Sequence, residues 1–284
     1  MRLNIEKLKD NIKLYNDLLE NYESTCMNFY YEAESNTRYW NSGIANYFFS
    51  LIDEEKKENK IFFEELKSLK LVFDYLIDNY QNYGKKITLD LESKDAIINR
   101  LSNYKTSDIS YLLNDSDLDV ININKSKAKI KNIEKNISKY KEEYKKICNK
   151  IESIEEEIKV RLSKIVVSSV EEVDSVAHSL GTVDEIFIDI DNLENSVKKL
   201  DMYYREEYEI FDDLKLIFKD ISYNYVTNNK DILEVLCAEI VAKFKIFLSN
   251  HSNNIKLLND NIEQTKLTSV RSKMMFDGIR NVEL

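Results

Sequence analysis

Apolar residues recur along this chain at alternating spacings of three and four. From Ile5 they fall at Leu8, Ile12, Tyr15, Leu19, Tyr22, Cys26, Phe29 and Ala33. That puts one side chain per turn on a single face and predicts a helix packed lengthwise on another. Ser35-Asn36-Thr37 breaks the pattern. A second seam follows through Trp40, Ile44, Tyr47, Leu51, Phe62, Leu66, Leu69, Phe73, Leu76, Tyr80 and Tyr83, thinning over Asp53 to Lys60, and Gly84 suits the left-handed position after a helix end. So short a connection folds the two helices back as an antiparallel hairpin.

Lys85 to Leu91 reads as a short extended stretch, Ser93 as the cap of a short helix to Tyr104, and Thr106 or Ser107 as the cap of another to Leu113. The polar run Asn114 to Lys125 is the expected domain boundary. It divides a hairpin with short helices at 1–113 from a second long-helix antiparallel bundle with a C-terminal tail at 114–284. A third seam, Ile130, Ile133, Ile137, Tyr140, Tyr144, Ile147, Ile151, Ile154 and Ile158, predicts a helix from about Asn124 to Val166. At about 1.5 Å per residue it would span roughly 65 Å. A fourth helix is expected from Val170 to Tyr225, bending at Gly181, and a fifth after Thr227-Asn228-Asn229 with Leu233, Ile240, Phe247 and Ile262 on its seam. The halves share this plan without a visible residue-level repeat. The fold class is therefore all-α: elongated antiparallel hairpins or a bundle of long, coiled-coil-like helices.

Composition sharpens this. The 284 residues include four glycines and no proline, which removes the usual punctuation of β and α/β folds. With 41 basic against 51 acidic residues, the net charge is −10. No concentrated basic face is present, so nucleic acid is not an expected partner. Residues 1–10 are polar and heptad-patterned, unlike a cleaved signal peptide. Ile232 to Leu248 is interrupted by Glu234, Glu239, Lys243 and Lys245, so membrane insertion is not expected. Cys26, Cys148 and Cys237 are far apart, on apolar helical positions, and read as reduced core residues.

Asp115, Asp117 and Asp119 match positions 1, 3 and 5 of a calcium loop, but Val120 and Ser126 stand where its glycine and glutamate belong, leaving a polar linker. His178 and His251 read as structural. No phosphate loop, zinc spacing or di-iron pattern is present, so the expectation is a non-enzymatic chain without cofactor or metal.

The most distinctive local feature lies between the first two helices, in Tyr39-Trp40-Asn41-Ser42-Gly43-Ile44-Ala45-Asn46-Tyr47-Phe48. Taken alone, Trp40 is a core aromatic clamping the hairpin and Gly43 a close-packing residue. A tryptophan turn, a small residue and an aromatic eight residues on, between two helices of this length, resembles the WXG (ESAT-like) and LXG-type families of bacterial type VII secretion over about residues 1–84. Trp40, Ser42, Gly43, Ala45 and Phe48 carry the resemblance, with Ser42 at the usual glycine position.

That resemblance implies a helical hairpin exported without a cleaved signal peptide, acting as partner or targeting element of an effector. It also implies a Tyr-x-x-x-acid export signal. Of five such pairs here, Tyr104 with Asp108 is placed best, shortly after the hairpin. Fewer than about 25 residues follow Ile262, too few for a toxin domain, so the expected partner is another small helical protein, a toxin or effector, or a second copy of the chain. The tyrosine-rich faces at Tyr203, Tyr204 and Tyr208, and at Tyr75, Tyr80 and Tyr83, are the candidate partner surfaces. Two rival readings are an elongated α-helical pore-forming toxin and a cytoplasmic or virion coiled-coil scaffold.

Overall fold

The computed structural model describes residues 1–83, 86–88, 120–173 and 186–280. The seams become five long helices: α1 (Ile5–Ser35), α2 (Gly43–Tyr80), α3 (Val120–Leu162), α4 (Ile190–Asn224) and α5 (Lys230–Arg280). The fold is all-α, with five very short strands among the described residues: β1 (Arg2–Asn4), β2 (Trp40–Asn41), β3 (Lys86–Thr88), β4 (Phe187–Ile188) and β5 (Tyr225–Val226). Gly84, Gly181, His178 and the aspartates at 115, 117 and 119 lie outside the described residues.

Three of the helices, α1, α2 and α4, start where the sequence supplies a capping side chain. Asn4 accepts from Lys7 N at 3.3 Å, Ser42 Oγ from Ala45 N at 3.0 Å, and Asp189 Oδ1 from Asn192 N at 3.2 Å. The last cap corrects the expected fourth helix. Residues 165–173 are not helical, and the helix begins at Ile190 rather than Val170. Ile165-Val166-Val167-Ser168-Ser169-Val170 is rich in β-branched residues and serine, whose helix propensity is low. Its backbone is instead held by side chains of other helices: Ser168 N donates to Glu65 Oε1 at 2.9 Å and Val173 N to Asn250 Oδ1 at 2.8 Å.

α1 and α2 form one antiparallel hairpin and α4 and α5 a second. α1 packs along α4, α2 faces α5, and α3 lies against α2 and α5. One apolar core runs through all of them, from Leu8, Tyr15 and Phe29 through Phe62 and Phe73 to Ile154, Leu214, Phe244 and Leu258. It draws on both sides of the boundary expected near residue 114. Cys26, Cys148 and Cys237 are free and buried, Cys26 and Cys237 within this core.

The hairpins are related by an approximate half-turn. β1 pairs with β5 (Leu3 with Tyr225), and β4 pairs with β2 (Ile188 with Trp40). The strand before each hairpin's first helix thus pairs with the turn of the other hairpin. A constant offset of 185 residues maps Leu3 to Ile188, the cap Asn4 to Asp189, and Trp40 to Tyr225. The buried residues Leu8, Asn11, Tyr15, Tyr22, Cys26, Phe29 and Ala33 likewise map to buried Leu193, Ser196, Leu200, Glu207, Phe211, Leu214 and Phe218. The relation shows in strands, caps and these buried positions, while the residues themselves mostly differ.

Candidate functional site

Trp40, 2% exposed, sits in β2 with its ring 5.6 Å from Phe48 and 6.2 Å from Phe49. Ser42 caps α2, Gly43 is its first residue, and Ala45 and Phe48 are buried one turn in. Trp40, Ser42, Gly43, Ala45 and Phe48 are therefore brought together at one end of the bundle. Tyr203 and Tyr204 are half-buried against the core, and Tyr208 is about half exposed, its ring 6.2 Å from Phe211. Tyr104 and Asp108 lie outside the described residues.

A second constellation, which sequence reasoning missed, lies inside the bundle. His251 on α5 is fully buried. Its Nδ1 meets Glu207 of α4, and its Nε2 lies 3.1 Å from Glu55 Oε1 of α2 and 3.1 Å from Tyr30 Oη of α1. Asn254 donates to Glu55 Oε2 at 2.6 Å, and Phe29 stacks on the imidazole with centroids 3.9 Å apart. One turn away, Asn59 donates to Tyr22 Oη at 2.7 Å. All four bundle helices contribute.

Burial pushes the Glu55 carboxyl up to about 7, reinforced by Glu207 and opposed by His251 and Asn254. Burial disfavours the His251 imidazolium, but Glu207 and Glu55 outweigh it and raise its pKa above the ordinary value. Burial also raises the Tyr30 and Tyr22 hydroxyls and the Cys26 thiol well above their usual ranges.

Two further buried polar contacts flank this one. Glu155 of α3 accepts from Tyr80 Oη at 2.5 Å, Tyr225 Oη at 2.9 Å and Asn229 Nδ2 at 2.9 Å, tying α3 to the end of α2 and to the α4–α5 turn. Lys243 of α5 meets Glu65 of α2 at 2.9 Å and donates to Ser168 Oγ at 2.6 Å. Burying a charge is costly unless it is paired and hydrogen-bonded, and each of these centres joins groups from separate segments. Three surface grooves of about 560, 370 and 380 Å³ are lined by other residues. The His251 cluster joins side chains of all four bundle helices inside the core.

Among the described residues, no group of histidine, cysteine and acidic side chains has a metal-holding arrangement, and no helix is long and apolar enough to cross a membrane. Comparison with protein-family models, curated proteins and solved structures finds no match. The fold defines the class: a helical bundle of two fused, related hairpins with α3 along one side.

Proposed function

We propose that this chain is a non-enzymatic helical protein of a type VII secretion system, a secreted or targeting partner of an effector that works by docking helix against helix. The observation that carries the reading is the turn between α1 and α2, where buried Trp40 packs on Phe48 and Ser42 caps the second helix. The fold adds a second support. A lone two-helix hairpin leaves an apolar flank that needs covering. Here the second hairpin covers it within the chain, which leaves the outer faces for a partner.

The test is export from the producing strain. Secretion should depend on the system's ATPase and should fall when Trp40 is replaced by Ala. Unchanged export from a strain lacking that ATPase removes the reading.

A further inference from the structure

We infer that the open face between α1 and α4 is a docking groove for an amphipathic helix that carries lysine or arginine beside its apolar residues. α3 and residues 165–173 cover the opposite, α2–α5 side of the bundle. The α1–α4 side carries a groove of about 370 Å³ with Leu14, Leu18, Ile210 and Ile217 among its lining residues. Leu14 is 54% exposed, and Leu216 on its edge is 61% exposed. The lining positions 11, 14, 18 and 21 on α1 and 210, 213, 217 and 220 on α4 follow the helical repeat. The groove therefore runs along the helices for about 15 Å at 1.5 Å per residue.

Its charge selects the partner. Asp17, Asp213 and Asp220 line it, and none has an ion-pair partner among the described residues. Three unpaired carboxylates around exposed leucines favour an apolar stripe flanked by cations and disfavour an acidic one. Asn11 lines the same groove, 8% exposed, and its Nδ2 has no hydrogen-bond partner in the structure.

The half-turn relating the hairpins shows that the fold does not require this groove. The 185-residue offset maps Leu14 to Lys199 and Glu32 to Ile217. At the related place, Lys199 and Glu32 close the surface with an ion pair at 3.1 Å. Asp17 corresponds to Met202, while Asn28 and Ser35 correspond to Asp213 and Asp220. At the related place none of the three rim aspartates has an acidic counterpart.

This surface deepens the proposed helix-docking role and rests on it, yet its test does not involve export. Failure of export dependence would leave the groove standing, and failure of binding would leave the export route untouched. The probe is a fluorescein-labelled 18-residue amphipathic helix with a leucine stripe flanked by lysines, compared with the same peptide carrying glutamate for lysine. Binding is read by fluorescence anisotropy on the full chain.

The lysine peptide should bind at least tenfold more tightly than the glutamate peptide. Leu14→Lys with Leu216→Lys, both exposed positions that leave the core intact, should weaken it at least tenfold. Asp17→Asn, Asp213→Asn and Asp220→Asn together should remove most of its salt dependence. Tyr31→Lys with Met202→Lys, at the related end, should change affinity less than twofold. Circular dichroism confirms that each variant is folded. Equal losses at the two ends, binding indifferent to the groove substitutions, a preference for the glutamate peptide, or no binding at low salt would each overturn the inference.

Discussion

The two turns of this molecule occupy equivalent places in one frame and are locked by opposite chemistry. At the first, Trp40 is closed in by Phe48 and Phe49, and its indole N–H has no hydrogen-bond partner in the structure. At the second, Tyr225 takes the tryptophan's place and gives its hydroxyl to Glu155 of α3. One end is held by area and shape, the other by a buried carboxylate that a fifth helix brings in. The frame fixes where a large buried ring must stand and leaves open whether it is held by packing or by a charge.

The sharpest way to break the contrast is to remove one anchor of each kind. Trp40→Ala should cost about 3–5 kcal/mol as a large core truncation, and Trp40→Phe should restore much of it, because packing alone holds that turn. His251→Ala should cost a similar amount, about 3–5 kcal/mol, by leaving Glu55 and Glu207 buried without their shared cation. His251→Phe should not restore it, although Phe fills the space. Urea unfolding of the four variants checks this, and recovery in His251→Phe would show that the cluster is packing rather than charge.

pH separates the two ends next. Glu55 is raised from its ordinary range to about 7, and His251 is raised as well. For both groups the folded chain holds a proton that the unfolded chain has already released. Their contribution is complete below the unfolded pKa values and is lost as pH rises through the folded ones. Stability should therefore fall from about pH 4.5 to about pH 7 through Glu55, with His251 adding to the fall above its ordinary 6.5. The slope should flatten in Glu55→Gln and stay unchanged in Trp40→Phe, as denaturation midpoints across that range will test.

The first hairpin was legible in the sequence because long seams at spacings of three and four leave little choice of fold; the pairing of α4 with α5 as the second was not specified there. The tryptophan turn was legible because a tryptophan, a capping serine and a glycine fell together at a break in the seam. The buried cluster left a signal that was passed over. The seam thins at Asp53 to Lys60 while the helix continues, and Glu55 and Asn59 stand on its buried face. On α5 the steps Phe247, His251, Asn254, Leu258 keep the core spacing through two polar residues. A polar residue on a seam is a buried residue whose partner lies elsewhere, and a linear pattern does not name that partner.

Residues 165–173 were misread for a related reason. Ile165 lies three beyond Leu162 and Val173 three beyond Val170, each a helical step, and the groups that capture the backbone, Glu65 and Asn250, decide against a helix. The half-turn escaped because its plainest mark is small: Leu3-Asn4-Ile5-Glu6 against Ile188-Asp189-Ile190-Asp191, with Trp40 and Tyr225 each 37 residues further on.

A milder test addresses the second turn alone. Tyr225→Phe keeps the ring and removes one of the donors to Glu155, so it should cost about 1–3 kcal/mol, the price of a buried carboxylate left short of a partner. Tyr80→Phe with Tyr225→Phe should cost more than the sum of the single changes, because the second loss leaves Asn229 as the side-chain donor that remains. A sum that is strictly additive would mean that Glu155 does not couple the two helices' ends.

The smallest effect concerns the two ends of the α1–α4 crossing. Lys199 and Glu32 form an ion pair where the related place carries Leu14 and Ile217, and the lysine is largely in water. Exchanging the pair for its counterpart, Lys199→Leu with Glu32→Ile, removes an interaction that solvent and salt already weaken. It adds apolar surface that the same backbone tolerates at the other end. The thermal midpoint should therefore stay close to that of the parent chain, with the parent's salt dependence slightly reduced. If the half-turn is a true equivalence of environment and not of backbone alone, the exchanged end should also acquire affinity for the leucine-lysine peptide only after Met202→Asp, Asn28→Asp and Ser35→Asp rebuild the acidic rim.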